Sequence, residues 1–291
     1  MYPASFEYAA PGDLDDALTL LRRFADGSPK VLAGGQSLIP LMKLRLAAPS
    51  HLVDLRRVAG LSYIREEGDW LRIGAMTTES EIERSPLLQQ KYPILVDTSS
   101  VIADPLVRNL ATVGGNLAHG DPANDHPAVM VSLGAEVVVR GSEGERTVDA
   151  EGFFRDLFVT DLAEDEILTQ IRIPIASAGA SGAYLKFERQ VGDYAIAGVA
   201  ASLRLAAGRI AESRIAFTNL GSIAARAAEA EQLMVGEAPG DSLFREGSLV
   251  ASHGLSPWED LRGDGAYKRR VATALTYRAL TLAAKRAAPD S

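Results

Sequence analysis

Two pairs of adjacent glycines, Gly34-Gly35 and Gly114-Gly115, constrain this chain more than any other feature. They lie inside the phrases Ala33-Gly34-Gly35-Gln36-Ser37 and Thr112-Val113-Gly114-Gly115-Asn116. Paired glycines let a backbone turn through positive φ and approach a ligand with no β-carbon in the way, so that successive N–H groups converge on one anion. In the first phrase an apolar strand, Lys30 to Ala33, runs into the turn, and Ser37 is placed to cap a helix through Leu41 and Leu44. A helix start adds free amides and the positive end of its dipole, and the Ser37 hydroxyl adds a donor. The second phrase repeats this grammar, with Thr112 and Asn116 as side-chain donors. One such turn is commonly just a tight connection. Two of them suggest two phosphates, because a diphosphate needs more donors than one short turn supplies.

What feeds such a site is narrowed by composition. There is no cysteine, so disulfides, thiol nucleophiles, thiolate zinc sites and cysteine-ligated iron–sulfur clusters are all excluded from this chain. Redox chemistry would need a bound organic cofactor. His51, His119, His126 and His253 show no i, i+4 pairing, and no metal is expected. A formal net charge of −8 disfavours nucleic acid. The one dense basic run, Lys268-Arg269-Arg270, reads as a solvated face. No stretch is apolar enough for membrane insertion, and the opening residues do not read as a secretion signal, so a cytoplasmic location is expected. The Gly-x-Gly-x-x-Gly fingerprint, the Gly-x4-Gly-Lys phosphate loop and the Gly-x-Ser-x-Gly elbow are absent, and no catalytic triad assembles.

At 291 residues, two or three lobes are expected. Asp13 caps a helix running to about Asp26. His51–Leu55 and Trp70–Ala75 read as strands, Thr78–Gln90 as two short helices, and Asp121–Leu133 as a helix. Strands follow at Glu136–Arg140, Arg146–Val148 and Ile167–Ile173. Pro174–Gly182 reads as a linker and domain boundary. Beyond it, strands at Ala183–Glu188, Ile196–Leu205 and Ser213–Leu220 precede helices near Ala224–Met234 and Tyr267–Ala287, an α+β pattern with helices on an antiparallel sheet.

The longer flanks of the two turns are recognisable. Ala33-Gly34-Gly35-Gln36-Ser37-Leu38-Ile39-Pro40-Leu41-Met42-Lys43 and Thr112-Val113-Gly114-Gly115-Asn116-Leu117-Ala118-His119-Gly120-Asp121-Pro122 resemble two signatures of the FAD-binding medium subunits of molybdenum hydroxylases, with the aerobic carbon monoxide dehydrogenases as the most similar branch. Ile73–Thr78, Ile102–Pro105, Ile171–Pro174 and Gly192–Ala195 extend the resemblance over nearly the whole chain. It implies an α+β fold: a two-lobed FAD-binding domain of the PCMH (vanillyl-alcohol-oxidase-like) type over residues 1–176, with lobes of about 1–56 and 57–176, then a C-terminal α+β domain over 177–291.

The resemblance also implies roles. Both loops, including Ala33, Gln36, Leu38 and Val113, would hold the FAD diphosphate. Asp125 matches an acid on the adenosine side, with a capping or surface carboxylate at the helix start as the lesser alternative. Lys186 matches a lysine near the flavin, although alone it reads as an exposed strand lysine; Leu168 and Ile102 match a backbone and an apolar contact, where plain core packing is the alternative. Tyr194 matches an aromatic beside the isoalloxazine ring, although alone it reads equally as a half-buried strand tyrosine, and Lys30 matches a basic residue approaching FAD. Gln36 replaces a frequent His, and His119 replaces an uncharged polar residue. The implied partners are a molybdopterin-containing large subunit and a small subunit with two [2Fe–2S] clusters, in a dimer of heterotrimers, with quinone, NAD or oxygen as acceptor. No residue of this chain is expected to be catalytic in the acid–base sense. The competing readings are a stand-alone FAD-dependent oxidoreductase and a scaffold subunit without flavin.

Overall fold

In the computed structural model, which describes residues 2–288, a short strand β1 (Glu7–Ala9) leads to Asp13, whose Oδ1 accepts from Asp16 N at 2.8 Å and starts α1 (Leu14–Arg23). Residue 1 and residues 289–291, the outer ends of the expected domains, lie outside the described residues. β2 (Lys30–Leu32), α2 (Leu38–Lys43) and β3 (His51–Asp54) complete the first lobe. Its sheet is parallel, in the order β1-β3-β2. Ala17, Leu18 and Leu21 recur on one face of α1 and bury against Val53 and Leu55. The strand, glycine turn and helix read from the sequence are present, and the parallel pairing of β2 with β3 makes them a crossover unit.

The middle lobe runs β4 (Ile64–Glu67), β5 (Trp70–Gly74), α3 (Glu79–Arg84), α4 (Pro86–Lys91), α5 (Pro93–Ser100), α6 (Pro105–Arg108), α7 (Val113–His119), α8 (His126–Leu133), β6 (Glu136–Gly141), β7 (Gly144–Asp149), α9 (Ala150–Phe153), β8 (Phe154–Asp156), β9 (Val159–Thr160) and β10 (Ile167–Pro174). Its antiparallel sheet has the order β4-β5-β10-β6-β7, so the last strand enters at the centre, with Ile171 opposite both Ile73 and Val137. Short helices start on side-chain caps: Thr78 and Glu81 form a capping box for α3, and Ser85 and Asp104 cap helices that begin on proline. The helix expected over Asp121–Leu133 begins only at His126, because Asp121 closes a turn first, taking Ala123 N on Oδ1 at 2.9 Å and Asn124 N on its carbonyl at 3.0 Å.

The expected linker is shorter than its composition indicates. Pro174 still pairs with Trp70 and Gly182 already pairs with Ser202, leaving 175–179 between β10 and β11 (Ala180–Phe187). β12 (Ala197–Ala206) and β13 (Arg209–Thr218) complete an antiparallel sheet in the order β11-β12-β13, followed by α10 (Ala228–Met234), α11 (Asp241–His253) and α12 (Gly265–Ala287). Alternation decides which residue meets which neighbour. Ala183, Val199, Ala201, Ile215 and Phe217 join the core under α10, α11 and α12. Tyr184, Ala200 and Ala216 point the other way, into the core of the middle lobe. Lys268 is not on a solvated face: it is fully buried and ion-paired with Asp260 at 2.7 Å. No helix among the described residues is long and apolar enough to cross a membrane.

Candidate cofactor-binding site

Between β2 and α2 the chain turns at Gly35, whose φ is +74°, and its carbonyl takes the N–H of Ile39 at 3.0 Å. Among the described residues, the backbone N–H groups of Gly34, Gly35, Gln36, Ser37 and Leu38 meet no acceptor. Five successive free amides on a partly buried loop are the donors that an anion nest requires. Ser37 precedes α2, but its hydroxyl makes no capping bond and remains free for a ligand. Gln36 folds back, donating from Nε2 to Gly34 O at 3.0 Å.

The second turn works differently from the expected second nest. Val113 N donates to Thr77 O and Gly114 N to Ala75 O, both at 3.0 Å; Gly115 N donates to Thr112 Oγ1 at 3.2 Å and Asn116 N to Thr112 O at 2.9 Å. These amides are already paired, so the glycines serve close approach. A Cβ on Gly114 would lie 2.5 Å from Ala75 Cβ, and one on Gly115 would lie 2.8 Å from Thr112 Oγ1, with Ala33 Cβ at ordinary contact distance, 3.5 Å. A Cβ on Gly34 would collide with the Leu110 carbonyl oxygen and stand 2.9 Å from Ala111 Cα. The two phrases are thus pressed together, the first offering amides and the second a floor. Asn116 Oδ1 is buried without a partner, while its carbonyl takes Asn124 Nδ2 at 2.8 Å. Lys30 lies exposed at the start of β2 and makes no ion pair among the described residues.

Asp125 and Lys186 are brought together, and neither is a surface group. The Asp125 side chain makes no cap bond to α8; its Oδ1 accepts from Tyr184 Oη at 2.5 Å and its Oδ2 from Lys186 Nζ at 3.2 Å. The Lys186 side chain is 2 % exposed and also donates to Val101 O at 2.7 Å and Asp193 O at 3.1 Å, with Glu188 Oε2 at 3.0 Å. Strand alternation turns Lys186 inward, toward the same side as Tyr184, onto a carboxylate that burial would otherwise leave stranded. Burial pushes the Asp125 carboxyl up, with the Lys186 charge pulling against it, and burial beside Asp125 pushes the Tyr184 phenol well above its usual range.

Ile102 is buried, next to Ala103 at φ +45°. Leu168 is buried in β10 beside a register shift, where Thr169 O accepts from Ala75 N at 3.0 Å. That bond ties the strand of Leu168 to the floor under Gly114. Tyr194 is 46 % exposed, and partial burial together with the Asp121 charge raises its phenol. Desolvation lowers the half-buried His119 imidazole, whose ring tilts against Phe158 at 5.2 Å. One buried pair is missed by sequence reasoning: Glu79 Oε2 takes Ser99 Oγ at 2.7 Å and lies 2.7 Å from His126 Nε2, both side chains being fully buried. Only its adjacency to Asp125 singles out His126, and no spacing joins it to Glu79.

A row of unpaired amides, a hydroxyl left free at a helix start and a buried polar atom without a partner fit a diphosphate with its attached groups. The α+β scaffold and these loops define a protein built to hold an extended anionic cofactor. The family described as "FAD binding domain in molybdopterin dehydrogenase" matches residues 4–176, and "CO dehydrogenase flavoprotein C-terminal domain" matches residues 182–283. The carbon monoxide dehydrogenase medium chain of Hydrogenophaga pseudoflava is 42 % identical over 288 residues, covering 99 % of this chain and 100 % of that one. The structure of carbon monoxide dehydrogenase from Hydrogenophaga pseudoflava, lacking the Mo-pyranopterin moiety, superposes with a TM-score of 0.96 at 44 % identity, covering 99 % and 100 % of the two chains. Quinoline 2-oxidoreductase from Pseudomonas putida 86 gives 0.92 at 34 % identity, with 99 % of each covered. The chain belongs to the FAD-binding medium subunits of the molybdenum hydroxylases, oxidoreductases of the carbon monoxide dehydrogenase type.

Proposed function

We propose that this chain holds FAD across the two glycine phrases and passes electrons from the [2Fe–2S] clusters of a small partner subunit to an external acceptor. The observation that carries the reading is the run of five unpaired amides from Gly34 to Leu38, wedged against Leu110 and Ala111. FAD, when bound, supplies the capacity to collect electrons singly and release them in pairs. The residues of the chain bind and orient it. Ala33, Gly34, Gly35, Gln36, Ser37 and Leu38 receive the diphosphate, and Thr112, Val113, Gly114, Gly115 and Asn116 close the cleft beneath it. Asp125, Ile102, Leu168, Lys186 and Tyr194 contact the adenosine and flavin portions, and Lys30 offers a cation at the rim.

The electrons come from a molybdopterin-containing large subunit, in a dimer of heterotrimers, and leave to quinone, NAD or oxygen in the cytoplasm. The domains in this reading are 1–176 and 177–291, the first with lobes of about 1–56 and 57–176; the family matches over 4–176 and 182–283 support it. Relatives named for carbon monoxide and for quinoline share the fold, so this subunit leaves the substrate to its partner. A stand-alone flavoenzyme and a flavin-free scaffold are not favoured by this kinship. The complex copurified with its partner subunits should be yellow and release stoichiometric FAD on acid denaturation; a folded, assembled complex without FAD would falsify the reading.

A further inference from the structure

The loop that carries Tyr194 is held from the far end of the chain. Tyr194 N donates to Asp193 Oδ1 at 2.8 Å, and the same oxygen accepts from Arg262 Nη2, also at 2.8 Å. The Arg262 guanidinium carbon stands 5.7 Å from the centre of the Tyr194 ring, within cation–π range. Arg262 is itself fixed: its N–H donates to Asp260 Oδ1 at 2.8 Å, and Asp260 Oδ2 accepts from the buried Lys268 of α12 at 2.7 Å. On its other side the loop is seated by Ala103, whose backbone lies 2.9 Å from where a Cβ on Gly192 would stand, and by Lys186 Nζ on Asp193 O. The backbone of the loop is therefore already anchored without Arg262. What Arg262 adds is contact with the Asp193 carboxylate and the Tyr194 ring together, which suits a planar guanidinium better than an ammonium. The side chains of Asp193 and Arg262 are 10 % and 27 % exposed, so solvent screens their pairing less than that of a surface pair.

We infer that Arg262 is a positioning residue for the flavin site, holding the Tyr194 ring and so setting how freely a diffusible acceptor reaches the flavin. The inference rests on the reading that places Tyr194 beside the isoalloxazine. The test uses the assembled, FAD-loaded complex with Arg262→Gln and Arg262→Lys. Four quantities are read: FAD content, the visible circular dichroism of the bound flavin, its reduction by dithionite, and its reoxidation by a water-soluble benzoquinone. In Arg262→Gln, FAD content and reduction stay at the wild-type level, the dichroism changes, and reoxidation accelerates roughly two- to fivefold, the factor for losing one exposed cation–π contact. Arg262→Lys recovers part of the difference. In a Tyr194→Ala background the Arg262→Gln change adds nothing, as expected of two groups acting as one.

Unchanged dichroism and reoxidation at full flavin content overturn the inference. So do equal changes in reduction and reoxidation, or additive effects of the two substitutions. A wild-type complex without flavin overturns the site reading and the inference with it. Flavin present in the wild type but lost from both Arg262 variants overturns the inference alone, since Arg262 is then needed for retention rather than for access.

Discussion

Gly34 and Gly35 do different work although they are neighbours. Gly35 supplies a positive φ, whereas Gly34 supplies absence, because the Leu110 carbonyl occupies the space of its side chain. Gly34→Ala should therefore separate the two phrases, costing about 1–3 kcal/mol and sharply reducing FAD retention in the complex. Gly12→Ala, where a Cβ meets nothing within 4 Å, is the control. Equal FAD retention in the two variants would refute the wedge. Lys186 makes a second prediction at this scale. Lys186→Met strands Asp125 and should destabilise the chain by about 3–5 kcal/mol, much of which Asp125→Asn restores in the double variant. Urea unfolding of the single and double variants checks this, and strictly additive losses would show that the pair is not coupled.

Among the elements, the β8–β9 hairpin and the approach to β10 are fastened to β7 by one side chain. Arg146 of β7 bonds Asp161 Oδ2 at 2.7 Å and grips Glu166 with Nε and Nη2 at 2.7 and 2.6 Å. Arg146 holds both carboxyls below their ordinary range, with Arg155 assisting at Asp161. A depressed carboxyl contributes stability that is full above its unfolded value and disappears as pH falls through the folded one. Arg146→Met should thus cost about 1 kcal/mol at pH 7, a modest figure because the guanidinium is 41 % exposed, and the gap from wild type should close below about pH 4. A gap that persists in acid, measured by urea unfolding, would contradict this origin. This fastening was not legible in the sequence, whereas α1, β2, β3, β5, β10 and the strands from β11 to β13 were, because caps, alternation and glycine turns are local signals. α5 was missed because its apolar residues, Ile94, Leu95 and Val96, precede its polar ones, Asp97, Thr98, Ser99 and Ser100, along the axis, so that no helical period is marked. The second nest was overread for a related reason: Thr112–Asn116 repeats the grammar of the first turn, and only the tertiary partners Ala75 and Thr77 reveal that its amides are taken. Lys268 and Lys186 looked exposed because a lysine in a sequence carries no sign of the carboxylate that folding will bring to it.

Across the whole molecule, the sheet of β11, β12 and β13 decides how the segments matched by the two families behave as one body. Its two faces feed two different cores, and the face turned to the middle lobe is kept low by Gly182, Ala200 and Ala216 so that α5 and α8 can approach. Ile94 Cδ1 of α5 would lie 3.0 Å from a Cβ on Gly182. The far end of α12 then clasps the same helix: Arg286 meets Asp97 through Nη1 at 2.6 Å and Nη2 at 3.0 Å, and Nη1 also donates to Gly182 O at 2.9 Å. A shared apolar core with a bidentate clasp should unfold as a unit, since separating the segments would expose Tyr184 and Asp125 together. Scanning calorimetry of the chain should show one transition, and Arg286→Met should lower its midpoint through a loss of about 1–3 kcal/mol without splitting it. Two resolved transitions in the wild type would mean that the core does not couple the segments, and that the Asp125–Lys186 contact depends on some other support.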